Sequence, residues 1–304
     1  MELAKRLGED LTPLTPTPSH FQDLEITYHD LGELKKPYEV SFIGDEHFAS
    51  QECIEDFLKA SHERVLNPPK GIPKKNSSMI EMGDAYEAND HSSPDDAIFN
   101  QKYTNEESKD KTIERKRKLA KKGKIWVWQE ANHDGERSRK KVGTANSRDI
   151  CQVLDIPYSK ISTYNVIDFN GHRLIVYTNH GKNRSTPKWV GTKRKTWEES
   201  MVYRQADIIA IGHIHRLKYE PIIPNENITE NVVIDYENQC MVTQPATFKK
   251  RLITGHFLGY LGGYGQRKAY APNPAGYPIL KLYPNGHYDV ELIWEREWRN
   301  NLSK

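Results

Sequence analysis

YEVSFIGDEH, residues 38–47, sets a short apolar run against a glycine and then against Asp45 and His47. A run of this length bounded by turn residues reads as a buried strand. The same arrangement recurs four times further on. MIEM runs into Gly83-Asp84, IWVW into Ala131-Asn132-His133-Asp134, RLIVYT into Asn179-His180-Gly181, and ADIIAI into Gly212-His213-Ile214-His215. Each polar motif supplies Asp, Asn or His at a strand end. Strands that converge on one edge of a sheet bring such residues together, and open α/β sheets build their sites at that edge.

Spacing inside the motifs adds to this. Residues two apart on an extended chain point the same way. Asp45 and His47 are therefore expected to face one ion together, and His213 and His215 to act from one side, with Glu46 and Ile214 turned away. A carboxylate can bridge two cations, whereas an imidazole cannot. The mixture of carboxylate, imidazole and carboxamide oxygen suits Mn²⁺, Fe or Zn²⁺ better than Ca²⁺. Singly, each motif has an ordinary explanation: Gly-Asp is a common turn dipeptide, and Asn or Asp can cap a helix. Together, in order and each at a strand end, they point to a metal centre.

The rest of the chain bounds this reading. Its 304 residues can bury a sizeable core. With 36% hydrophobic and 28% charged residues, the composition is that of a rather polar globular protein. No run approaches the ~18 apolar residues of a membrane span, and MELAKRLGED lacks the apolar core of a secretion signal. Cys53, Cys151 and Cys240 lie far apart with no CxxC pair. Buried thiols of a reduced, cytoplasmic protein are the expectation. The net charge of +2 conceals a split: residues 1–110 carry 11 Lys/Arg against 23 Asp/Glu, and the remainder 33 against 19.

Along the chain, residues 1–37 read as an N-terminal extension, because LTPLTPTPSH is rich in Pro and Thr. The folded domain is then expected over 38–304. Residues 49–66 have helical spacing, and residues 88–110 read as a polar insertion. KTIERKRKLAKKGK (111–124) is a helix former charged almost all round, for which a solvated face is as good an expectation as a buried one. YNVIDFNGHRLIVYTNH and KLYPNGHYDVELIW each place Asn-Gly between strand-like runs and read as hairpins. WEESMVYRQA is expected to be a helix, and the tail from about 220 to 304 to be β-rich. His20, His29, His62, His91, His172 and His287 lie outside the motifs and are expected at the surface. His256 follows Gly255 in a strand-like segment; both the surface and a place near the centre are open to it, and it is not assigned as a ligand.

The motif order resembles that of the calcineurin-like metallophosphoesterase superfamily: Asp-x-His, Gly-Asp, Gly-Asn-His-Asp/Glu, His and Gly-His-x-His. The resemblance covers about residues 38–220. It implies an α/β fold, a four-layer α/β/β/α sandwich with two mixed β-sheets. It also implies two divalent metal ions, with Mn²⁺ the best fit and Fe, Zn²⁺ or Mg²⁺ compatible. One ion would be held by Asp45, His47, Asp84 and His215, the other by Asp84, Asn132, His180 and His213, with Asp84 bridging. His133 would be the catalytic histidine and Asp134 would orient it. The implied reaction is phosphoester hydrolysis by a hydroxide that the two metals activate. Ala131, where glycine is usual, and Phe48-Ala49, in place of a small-residue ending, depart from the pattern at backbone positions rather than ligands.

Gly-Asp is followed here by AYEAND and His47 by Phe48, unlike the protein serine/threonine phosphatases of the superfamily. Asn-His-Asp and Gly-His-Ile-His look more like the branch that contains the Mre11/SbcD-type nucleases. Charge points the same way. RSRKK (137–141) and KNRSTPKWVGTKRK (182–195) follow two of the motifs, and the latter holds six basic and no acidic residues. Arg137, Arg139, Lys182, Arg184, Lys193 and Arg194 are thus candidates to bind a polyanion. Trp189 and Trp197 offer surfaces on which bases stack. The expected activity is that of a phosphodiesterase or nuclease acting on nucleic acid or nucleotides, DNA or RNA. The rivals are a phosphomonoesterase and a non-catalytic scaffold on the same fold.

Overall fold

Every residue of β2 (Tyr38–Ile43) is buried, so this strand must be covered on both faces, as a central strand is. In the computed structural model, which describes residues 24–88, 101–137, 146–181, 206–222, 230–235, 240–245, 249–259 and 272–302, it lies third in a six-stranded mixed sheet. The order is β14 (Tyr288–Trp294), β13 (Gly276–Leu282), β2, β3 (Ser77–Glu81), β4 (Ile125–Gln129) and β5 (Tyr158–Ser159). β2 to β5 run parallel, while β13 is antiparallel to both its neighbours.

A second six-stranded mixed sheet has the order β1 (Leu24–Asp30), β6 (Ser162–Phe169), β7 (His172–Asn179), β8 (Ile208–Ile211), β12 (Lys249–Thr254) and β9 (Leu217–Ile222). A ribbon of β10 (Glu230–Asp235) and β11 (Cys240–Pro245) stands apart in pairing. The sheets face each other through Val40, Phe42, Ile80 and Val127 on one side and Phe169, Val176, Ile208 and Leu252 on the other. Each such side chain contributes ~1.5–3 kcal/mol by leaving water. Behind the first sheet lie α1 (Glu55–Leu66), α2 (Asn105–Lys121) and α3 (Asn146–Leu154). They bury Phe57, Leu58, Ile113, Leu119 and Ile150 against Met79, Trp128 and Ile279. The described residues thus form an α/β/β stack, closed at the C-terminus by α4 (Glu295–Leu302). Of the helix expected over 197–206, only Ala206, packed with Tyr177, Ile209 and Ile211, falls among the described residues.

Several expectations are corrected. Residues 24–30, assigned to an extension, form β1, a parallel edge strand paired with β6 from Leu24↔Ser162 to Asp30↔Asp168. Its exposed residues include Ile26 and Tyr28. On the other face Thr27 bonds Asn165 and His29 stacks on Trp126 with ring centroids 3.8 Å apart. The polar side faces inward, so the alternation did not read as a core strand. α2 begins at Asn105, inside the supposed polar insertion, because Thr104 and Glu107 form a reciprocal capping box. α1 begins only at Glu55, because Phe48, Ser50 and Cys53 bridge to Tyr86, Gln101 and Leu258. The Asn170-Gly171 hairpin forms as expected, with φ of 47° and 77°. Cys53 and Cys151 are free and buried. No helix among the described residues is long and apolar enough to cross a membrane.

Candidate metal centre

β2, β3, β4, β7 and β8 all end at one edge, and each hands over to one of the five motifs. The first two loops are laced together by backbone bonds: Asp45 N donates to Gly83 O (2.8 Å) and His47 N to Asp84 O (3.0 Å). The conformation there is not extended. Asp45, His47, Asp84, His213 and His215 have φ of 49°, 43°, 51°, 65° and 52°. Left-handed backbone at non-glycine residues costs on the order of 1–3 kcal/mol each and gathers at functional sites. Asp45 and His47 do converge, but through two left-handed turns rather than through strand alternation. His213 and His215 separate into different groups, the division the resemblance implies rather than the one-sided action expected from their spacing.

Three groups of donor atoms result among the described residues: Asp45, His47 and His215; Asp45, Asp84, His180 and His213; and His47, Asp84 and His133. In the first, Asp45 Oδ1 lies 3.1 Å from His215 Nε2 and 4.0 Å from His47 Nε2, and the two imidazole nitrogens are 3.2 Å apart. In the second, His180 Nε2 lies 3.2 Å from Asp84 Oδ2 and 3.2 Å from Asn132 Oδ1. Bonds of about 2.1 Å to one ion produce ligand-to-ligand spacings of roughly 3–4 Å. The third joins Asp84 to His47 and His133, so Asp84 stands between the first two.

Hydrogen bonds aim these groups. His133 N donates to Asp84 Oδ1 (2.9 Å) and His213 N to Asp45 Oδ2 (2.8 Å). Each carboxylate therefore has one oxygen pinned, while Asp84 Oδ2 and Asp45 Oδ1 are buried with no hydrogen-bond partner among the described residues. His213 Nδ1 is in the same position. His180 Nδ1 lies 2.7 Å from Met82 O and so carries its proton there, which leaves Nε2 for the centre. Buried atoms that lack partners, yet face one another at ligand spacing, fit the binding of metal ions.

Electrostatics tell the same story. Burial pushes the Asp45 carboxyl up, but the adjacent imidazoles of His215 and His180 hold it at about 2. Burial would lower His47 and His180, yet Glu87, Asp84 and Asp45 raise His47 to about 9, and Asp84 and Asp45 raise His180 to about 10. Without metal, protons on these imidazoles balance the carboxylates. His213, half-buried beside His180, falls to about 4, through desolvation first and then the charge of His180.

Glu87 is the residue that motif reading missed. Its buried carboxylate takes His47 Nδ1 at 2.7 Å and His133 Nδ1 at 2.5 Å, which couples a metal-site imidazole to the proposed catalytic one. Burial would raise Glu87, but these two imidazoles hold it well below the usual carboxylate range. The only hint in the sequence is an acid three residues after Asp84, where one helical or tight turn returns a side chain. Asp134 is buried and accepts from Ala85 N (3.1 Å) under the Gly83-Asp84 turn. Burial, then the neighbouring Asp84, raises it to about 8. His256 is buried beside the centre, stacked on His215 with centroids 5.3 Å apart. His62 is buried rather than at the surface. The Arg137 side chain, Arg139, Lys182, Arg184, Lys193, Arg194, Trp189 and Trp197 lie outside the described residues.

No family model matches the chain, and no curated protein matches it. Among solved structures it is similar to a conserved uncharacterized protein of Streptococcus pneumoniae TIGR4, described as a predicted phosphoesterase. The two are 10% identical with a TM-score of 0.32, over 86% of this chain and 100% of that one. The functional reading therefore rests on the chain's own residues.

Proposed function

We propose that this chain is a divalent-metal-dependent phosphoester hydrolase of the calcineurin-like kind, with the phosphodiester bonds of nucleic acid or nucleotides as its substrate. The observation that carries the proposal is the convergence of Asp45, His47, Asp84, His180, His213 and His215 from separate loops, with buried donor atoms left unbonded. The proposed sets are Asp45, His47 and His215, and Asp84, Asn132, His180 and His213, with the two carboxylates shared between them. Two such cations, when bound, would polarise the phosphoryl oxygens and lower the pKa of a water between them.

The chain's own groups supply the rest. Glu87 holds the Nδ1 proton of His133, which leaves Nε2, 4.0 Å from Asp84 Oδ2, facing the centre. As the imidazolium, His133 donates its Nε2 proton to the departing alkoxide and is left neutral with its Nδ1 proton on Glu87, a contribution of ~10²–10⁴-fold for a general acid. Asp134 braces the Asp84 turn from beneath through Ala85 N. In the sequence, the basic run 137–141 begins five residues after Asn132 and the run 182–195 directly after Gly181. That charge supports a polyanionic substrate.

End-labelled single- and double-stranded DNA and RNA, incubated with the full chain and Mn²⁺, test the substrate. The expected result is cleavage that stops on chelation. Turnover of p-nitrophenyl phosphate with intact polymer would move the substrate to a small phosphomonoester.

A further inference from the structure

Helix α2, expected to be as much solvated as packed, sends two cations under the centre. The Lys116 side chain has no exposed surface. Its ammonium donates to Glu46 Oε1 at 2.5 Å and to Glu81 Oε2, and lies 3.1 Å from His62 Nε2. Three N–H bonds thus meet three partners, with His62 Nε2 as the acceptor of the third. Arg115 reaches Glu46 Oε2 at 2.7 Å, and its guanidinium lies over the Phe48 ring, 3.9 Å from the centroid. A buried lysine is uncommon, because a buried charge is tolerated only where it is paired and fully hydrogen-bonded.

The partners matter more than the pairing. Glu46 stands between Asp45 and His47, and its carboxylate is wholly buried. Glu81 is the last residue of β3, three before Asp84, and pairs in register with Ile43, two before Asp45. One ammonium therefore ties the loop of the first motif to the strand end that launches the second. Both loops hold non-glycine residues in left-handed backbone, which persists only when surroundings fix it.

We propose that Lys116, supported by Arg115, is a positioning clamp for the metal centre. It lies outside the ligand set and grips Glu46 and Glu81, and through them keeps Asp45, His47 and Asp84 in ligand geometry. The inference rests on the metal-centre reading above. Outer partners of this sort, when altered, weaken metal affinity ~10–100-fold.

The test uses the full chain, stripped of metal and titrated with Mn²⁺. Free Mn²⁺ is followed by electron paramagnetic resonance, and thermal melting is recorded with and without the ion. Lys116→Met removes the cation; Glu46→Gln keeps the shape of its partner without the charge. The clamp predicts a Mn²⁺ dissociation constant raised about tenfold or more in each variant, and a smaller metal-induced rise in Tm. An ordinary core ion pair would lower the metal-free Tm and leave both the affinity and the metal-induced rise at wild-type values, which overturns the proposal. If Lys116→Met does not fold, Glu46→Gln carries the comparison. If neither folds without metal, the network is a folding element and the clamp is rejected. A wild-type chain that takes up no divalent ion would instead sink the metal centre itself.

Discussion

Asp84 and Asp45 each spend one oxygen on a backbone amide and turn the other, unbonded and buried, toward imidazoles. That division suits a carboxylate that must be immobile yet available to a cation, and Glu87 treats His47 and His133 in a similar way. Glu87→Gln is expected to lower turnover ~10–100-fold and to weaken metal binding. His133→Ala is expected to lower turnover of poor leaving groups ~10²–10⁴-fold with metal retained. Steady-state rates and metal content on the same samples check both. His62 yields a pH prediction. Burial, then the charge of Lys116, lowers it from 6.5 to about 4, so the unfolded chain takes up the proton first. Its contribution is full above pH 6.5 and is lost as pH falls from 6.5 toward 4. Between pH 7 and pH 5 wild type should lose about 2 kcal/mol more than His62→Gln, read by urea unfolding of the metal-free chain.

At the scale of elements, turns rather than strands fix the centre. Gly83 has φ of 89°, and a Cβ there would sit 2.6 Å from Ala131 Cβ and 2.8 Å from Gln129 O. Gly83→Ala is expected to destabilise the chain by ~1–3 kcal/mol in thermal unfolding. The strand ends were legible because apolar runs such as VSFI and DIIAI stop abruptly at polar motifs, and the Asn170-Gly171 hairpin was legible from its dipeptide. The left-handed turns at Asp45 and His47 were not, since nothing in a single sequence marks a non-glycine residue held at positive φ. β1 was missed because Thr27 and His29, not Ile26 and Tyr28, face the neighbouring elements. Deleting residues 1–30 should therefore lower Tm relative to deleting 1–23, since only the longer deletion removes the β1–β6 ladder.

Across the whole molecule, two mixed sheets bring the motif loops together, and the motif reading singled out Asp45, His47, Asp84, His180, His213 and His215 but not Glu87, which bonds His47 and His133. Order did not show how Asp45 would be shared, nor that Glu46 would be buried on Lys116, because charge runs on a helix do not disclose which cation turns inward. The proposed substrate rests on basic segments that follow two of the motifs in the sequence, and chemistry at the centre is independent of it. Hydrolysis of bis(p-nitrophenyl) phosphate by chelator-stripped full chain, with and without Mn²⁺ and beside Asp84→Asn, tests that chemistry most directly. The account predicts no turnover without metal, turnover restored by Mn²⁺, and at least a ~100-fold loss in Asp84→Asn. Turnover that ignores both the metal and Asp84, or none with any divalent ion on this or any other phosphoester, would contradict it.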